Sequence, residues 1–254
     1  MTYSFLFLIS SSINHFMEEK FSRNTKHERY LQTLETIESI RNKVPNSKIC
    51  LFELSQSPID NEYRHELTNR VENFLEFYND TDITTLYHNF TVHPELFKYG
   101  KSLLELNGLI KTLKFIDNEY SHSQFNRIFK ITGRYLLNNS FNIEDYQTKF
   151  LKDKYVIKHL KFSEYEPTTN VHYHVFQNKG SVVTALWSFD MSLFYETIDL
   201  LDKSFDYLQR MLLYTPGNDI EHSIYHFIDK NKLINCDFIG VSIRKGMEID
   251  DYNT

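Results

Sequence analysis

Residues 3–10 read YSFLFLIS, a short and nearly unbroken apolar run. A run of that length without polar alternation is the pattern of a strand covered on both faces, as in a parallel sheet flanked by helices. The polar segment 11–28 follows. It is too long for a tight turn, and loops of that length commonly carry function. Over 28–43, Tyr30, Leu34, Ile37 and Ile40 recur at spacings of four, three and three, which predicts an amphipathic helix, and Pro45 stands just beyond it as a stop. KICLFEL at 48–54 reads as a second strand, and 55–61, with Pro58, as a loop. A second helix is expected over 62–78, with Leu67, Val71, Phe74 and Leu75 on one face, and a third strand at ITTLYH, 83–88. Strand alternating with helix implies βαβ units and a parallel sheet. The expected fold is therefore α/β, with a Rossmann-related, mostly parallel central sheet flanked by helices. Open sheets of this kind bind nucleotides at the carboxyl ends of their strands.

Further along, Leu103, Leu106, Leu109, Ile110 and Leu113 predict a helix over 101–116. NRIFKIT at 126–132 reads as a strand running directly into Gly133-Arg134-Tyr135. Between 150 and 192 lie three strand-like runs, YVIKHL, VHYHVF and SVVTALWSF. Helices are expected at 193–213 and 219–230, and a last strand at 236–243. With 254 residues, 41% of them hydrophobic, the chain is long enough for a sizeable core and is expected to fold as one unit over 1–254. Its nucleotide-binding half would be about 1–140 and its acceptor-side half about 141–254.

Composition narrows the function classes. The net charge is −6 and no run of five like charges occurs, which argues against a nucleic-acid partner. The 21 Phe and 17 Tyr are spread along the whole chain, beside a single alanine, Ala185. That spread reads as biased coding composition rather than a sugar platform. Cys50 and Cys236 each sit in an apolar run and look like buried strand residues, which fits a reducing, cytoplasmic setting. No apolar run is long enough to span a bilayer, and Tyr3 to Ile9 lacks the basic flank and cleavage site of a signal peptide. The sequons at Asn79, Asn89 and Asn138 read as chance matches in an Asn-rich chain. No G-x-G-x-x-G follows the first strand and no Walker A motif exists, so dinucleotide and P-loop readings are weak.

Four segments resemble, in the same order, a group of GT-A-like glycosyltransferases of viral and microbial surface-glycan type. They are R-x-x-Q-T-L-x-x-I-x-S-I from Arg29 to Ile40; Glu53-Leu54-Ser55; Gly100-Lys101-Ser102 with Glu105; and K-x-x-G-R-Y-x-L-N from Lys130 to Asn138. The segment Asp219-Ile220-Glu221-His222 opens a late helix in the same pattern. The resemblance implies a GT-A-like domain that moves a sugar from a nucleotide-sugar donor to a glycan or other hydroxyl acceptor. Many GT-A enzymes hold a divalent metal, Mn²⁺ or Mg²⁺, on an Asp-x-Asp at the end of a central strand. Here Gly133-Arg134-Tyr135 stands at that place, and Asp80 and Asp82 read as a solvated loop.

A departing diphosphate needs positive charge, and arginine offers phosphate two parallel hydrogen bonds. Lys101, Lys130 and Arg134 are the donor-side candidates, with Gly133 allowing close backbone approach or a positive φ, and Asn138 beside them. Glu53, ending the second strand, is placed to meet a ribose. If the reaction inverts, a carboxylate must take the acceptor proton. Glu221 is the candidate base, Asp190 a second acceptor-side carboxylate, and His222 a contact to phosphate or acceptor. Two other readings stay open. His172 and His174 on a strand, with His222 and His226 one helical turn apart, offer four imidazoles to a metal-dependent hydrolase. A non-catalytic nucleotide- or carbohydrate-binding domain would keep the fold without the chemistry.

Overall fold

The structure is a computed structural model that describes residues 4–14, 24–94, 97–161, 180–211, 219–236, 240–245 and 248–251. The opening run forms β1 (Phe5–Ser11), every residue of which is buried. Its alternate side chains enter two different cores. Leu6 and Leu8 pack on one face of the sheet, and Phe5, Phe7 and Ile9 on the other. This is the geometry that a two-unit side-chain period imposes on a strand between two helical layers.

The first helix, α1 (Lys26–Lys43), starts where Thr25 and Glu28 form a capping box, each side chain bonding the other's backbone N–H. Its face Tyr30, Leu34, Ile37 and Ile40 packs against β1 and β2 (Lys48–Glu53). Then come α2 (Asn61–Arg70), β3 (Asn73–Glu76), α3 (Thr81–Val92), α4 (Phe97–Glu119) and β4 (Arg127–Thr132). The strand β5 (Tyr135–Leu137) leaves the main sheet. After it lie β6 (Tyr155–Lys161), β7 (Gly180–Asp190), α5 (Phe194–Met211), α6 (Ile220–Phe227), β8 (Leu233–Asn235), β9 (Val241–Lys245) and β10 (Glu248–Asp251).

The main sheet has the order β3-β2-β1-β4-β7-β6-β8. Pairs from β3 to β4 are parallel, β7 runs antiparallel to both β4 and β6, and β8 is parallel to β6. A mostly parallel sheet between helices is what the alternating pattern predicted. Helices α3 to α6 cover one face, and α1 and α2 cover the other. A smaller sheet, β10-β9-β5, is antiparallel throughout.

Two elements differ from expectation. Residues 83–88 are helical, within α3, because the Asp80 side chain caps the backbone N–H groups of Asp82 and Ile83. Ile83, Leu86, Tyr87 and Phe90 then share one buried face. The third strand instead lies at 73–76, inside the expected helix 62–78. Its spacing of apolar residues suits a helix, but the exposed edge of β2 offers a ladder. Glu72 N–H donates to the Ile49 carbonyl and Phe77 N–H to that of Glu53. Of the expected last strand, 236–243, residues 241–243 open β9 on the small sheet, while 237–239 lie outside the described residues. The run VHYHVF, with His172 and His174, lies outside the described residues. Among the described residues, no helix is long and apolar enough to cross a membrane.

Candidate functional site

From β1 the chain builds outward through β2 to β3, then returns to the other side of β1 as β4. The sheet therefore has a switch point between β1 and β4, where α/β folds open a crevice beyond the strand ends. A cleft lies there, enclosing about 840 Å³ of empty space, open solvent included. Ser10 to Ser12 at the end of β1, and Thr132 to Arg134 at the end of β4, form two of its walls.

Three cations reach this cleft from three elements. Arg29 comes from the first turn of α1, Lys101 from α4, and Arg134 from the turn between β4 and β5. Gln32 and Thr33 share the cleft face of α1 with Arg29, one turn further along. The Arg29 guanidinium also donates to the Ser12 carbonyl at 3.2 Å. Burial, with the nearby charges of Arg29 and Arg134, holds the Lys101 ammonium below its usual pKa. Gly133 serves by closeness and not by a positive φ. Its N–H donates to the Ser10 carbonyl at 2.7 Å, and a Cβ there would sit 3.1 Å from that oxygen and 3.3 Å from Thr33 Oγ1.

A second cleft shares Glu105, Thr132 and Arg134 with the first. Its other wall carries Thr184 from β7, and Asp219, Glu221 and His222 from the start of α6. Asp219 caps that helix by accepting from the His222 N–H, and it also bonds His222 Nδ1 at 2.6 Å. The hydrogen bond to Asp219 raises the imidazole's pKa. The Ile220 N–H donates to Ser102 Oγ at 3.1 Å, which ties the start of α6 to α4. Glu221 then faces Thr184, whose hydroxyl donates to its carboxylate at 2.5 Å. Burial, followed by the Asp219 carboxylate and then Glu105, pushes Glu221 up to about 7.

Glu105 joins the two clefts. Its Oε1 accepts from the buried Lys130 ammonium and from Ser10 Oγ at 3.1 Å. Its side chain is 23% exposed, whereas that of Lys130 is 0% exposed. Burial opposes its charge, but Lys130 prevails, so the Glu105 carboxyl lies below its ordinary range. Lys130 is fully engaged, donating also to Thr132 Oγ1 at 2.9 Å and to the Thr184 carbonyl at 3.2 Å.

The structure thus brings Lys101, Gly133, Arg134, Glu221 and His222 to the paired clefts, and leaves four expected site residues out of their linings. Lys130 lies beneath the floor, paired to Glu105. Glu53 is 1% exposed, and its carboxylate accepts from Ser11 Oγ, Ser55 Oγ and the Ile13 N–H. It pins the loop after β1 in place of reaching a ribose. Asn138 bonds Ser242 Oγ at 3.2 Å and the Ser140 N–H at 2.9 Å, holding a turn beside the small sheet. Asp190 pairs in register with Arg127, at the opposite end of β4 from the clefts, and bonds Ser192. Of the histidine quartet, His222 is held by Asp219 and His226 stacks on Tyr207 of α5. Arg29 and Glu105 carry no expected role from the sequence beyond their place in the shared segments. The sequence feature nearest to Arg29 is the long polar segment 11–28, of which 15–23 lie outside the described residues.

The mostly parallel sheet flanked by helices is a GT-A-like fold, matched by solved structures. The chain aligns with the galactosyltransferase LgtC in complex with donor and acceptor sugar analogs, at 11% identity and a TM-score of 0.50, over 92% of this chain and 74% of that one. It also aligns with core-mannan synthase A (CmsA/Ktr4) from Aspergillus fumigatus in its Mn/GDP form, at 9% identity and a TM-score of 0.49, over 96% and 75% of the two chains. No family model and no curated protein matches the sequence.

A divalent cation of the kind an Asp-x-Asp holds does not fit the side chains at the end of β4. Gly133 and Arg134 occupy that place, and Arg29 and Lys101 stand across the same cleft. Asp80 caps α3 and Asp82 lies in its first turn, and both pair with Lys111, at 2.9 and 2.7 Å. No group of three or more His, Cys, Asp or Glu side chains suited to a metal occurs among the described residues.

Proposed function

We propose that the chain is a glycosyltransferase that moves a sugar from a nucleotide-sugar donor to a hydroxyl group, on a glycan or a similar acceptor. The observation that carries this reading is the pairing of unlike clefts at the switch point. One is lined by Arg29, Lys101 and Arg134, and the other holds a carboxylate with a pKa of about 7, with Glu105 and Arg134 common to both. Likeness of fold to a galactosyltransferase is in keeping with it.

In this reaction the bond between the anomeric carbon and the donor's phosphate oxygen breaks. Its electron pair leaves with the nucleoside diphosphate. The cationic cleft receives the donor, with Lys101 and Arg134 on the diphosphate and Gly133 letting the backbone approach. In an inverting transfer, with the acceptor hydroxyl bonding to the anomeric carbon opposite the departing diphosphate, Glu221 takes the acceptor's proton. A base is most effective when its pKa lies near the working pH, and Glu221 meets that condition at neutrality. His222, held by Asp219, positions the acceptor. Glu53, Lys130 and Asn138 support the donor side from beneath or beside it.

The test is release of nucleoside diphosphate from a panel of nucleotide-sugars offered with simple glycan acceptors. Turnover with one donor is expected, and Glu221→Gln should lower kcat by about 10²–10⁴-fold while donor binding persists. Near wild-type transfer by that variant would remove Glu221 from the role. Tight donor binding with no turnover on any acceptor would favour a binding domain instead.

A further inference from the structure

We propose that the first cleft neutralises the donor diphosphate through Arg29, Lys101 and Arg134 directly, with no divalent cation between protein and phosphate. This inference rests on the glycosyltransferase reading and adds Arg29 as a donor-side residue. Three observations support it. The cations converge on one cleft from α1, α4 and the β4–β5 turn, so an anion bound there would meet positive side chains from three elements. Burial, and after it the charges of Arg29 and Arg134, already hold the Lys101 ammonium below its usual pKa, and a bound polyanion would offset both. Glu105, the carboxylate that lines the same cleft, has one oxygen committed to Lys130 and Ser10.

Mn²⁺ and Mg²⁺ want several oxygen ligands, and a bound cation here would face three positive side chains with few acidic ones to offset them. Guanidinium groups supply what the metal otherwise would. Each offers parallel N–H donors to phosphate oxygens and a charge that no working pH removes. The charge also suits the reaction. A diphosphate in a nucleotide-sugar carries two negative charges, and a third appears on the bridging oxygen as the glycosidic bond breaks. Three fixed cations meet that demand without reorganisation.

The deciding experiment is calorimetric titration of the full chain with UDP, GDP, ADP, CDP, dTDP and inorganic pyrophosphate, each in EDTA and then in Mn²⁺. At least one nucleoside diphosphate should bind in EDTA, with a Kd that Mn²⁺ changes by less than about threefold. Hydrogen bonds to charged groups contribute about 1.5–3 kcal/mol, so Arg29→Gln and Arg134→Gln should each weaken that binding by roughly tenfold or more. Arg134→Gln alters an exposed turn and keeps the fold testable, and Arg29→Lys should recover part of the loss. Binding that needs Mn²⁺, or that survives both Gln variants, overturns this inference and leaves the transferase reading standing. Failure of every nucleotide to bind under either condition overturns both.

Discussion

Gly100, Lys101 and Ser102 stand consecutively in α4 and act in three directions. Lys101 enters the cationic cleft, and Ser102 fastens the start of α6 through the Ile220 N–H. Gly100 lies against Phe90 of α3, so closely that a Cβ would fall 2.0 Å from the ring. A comparable economy governs the acidic residues. Glu105 is kept ionised by Lys130, and its charge is one reason that Glu221 holds its proton up to neutrality. If Glu221 is the base, kcat/KM should rise with pH through a midpoint near 7. Glu105→Gln removes a negative charge beside Glu221, so that midpoint should move to lower pH. A pH–rate profile of the two proteins checks the direction, and an unchanged midpoint would break the link between the two carboxylates.

At the scale of elements, the clefts depend on helices held at fixed distances from the strand ends. The capping box at Thr25 sets where α1 begins, and so places Arg29 and Gln32 over the end of β1. The contact between α3 and α4 is set by Gly100 on Phe90, a ring that is only 1% exposed and has little room to move. Overpacking of this kind typically costs about 1–3 kcal/mol. Gly100→Ala should therefore lower the urea midpoint by a corresponding amount. Retention of wild-type stability would mean that α3 yields easily and that the glycine has another reason.

At the scale of the whole molecule, stability should carry the mark of Glu221. Its folded pKa of about 7 lies above the ordinary carboxylate value. Below the ordinary value it is protonated in both states and costs nothing. As pH rises from there to about 7, the unfolded chain releases the proton while the folded chain retains it, so stability falls and then levels. Glu221→Gln should consequently be more stable than the native chain at pH 8, by roughly 1–3 kcal/mol, with the gain vanishing near pH 4. Chemical denaturation at the two pH values measures it. A gain equal at both would assign the effect to packing. The same site would thus trade stability for a poised base, as functional sites commonly do.

The α/β class, the strands at 3–10, 48–54 and 126–132, and the helices at 28–43 and 101–116 were legible because their signals are local. Unbroken apolar runs and a 3.6-residue period report burial directly. Gly133 and Arg134, directly after a strand-like run, were legible in the same way, and both line the cleft. Residues 73–76 and 83–88 were exchanged between strand and helix because that decision belonged to a neighbour. The free edge of β2 recruited one segment, and a side-chain cap with a waiting apolar surface recruited the other. The same holds for charge. Sequence can name Lys130, Glu53 and Lys101 as ionisable groups near strand and helix ends. Only the tertiary structure decides that Lys130 and Glu53 are consumed by internal partners, while Lys101 meets Arg29 and Arg134 in a cleft. The reason is physical. A buried ion must find its partner in three dimensions, and Glu105 for Lys130, like Ser11 and Ile13 for Glu53, lies tens of residues away along the chain.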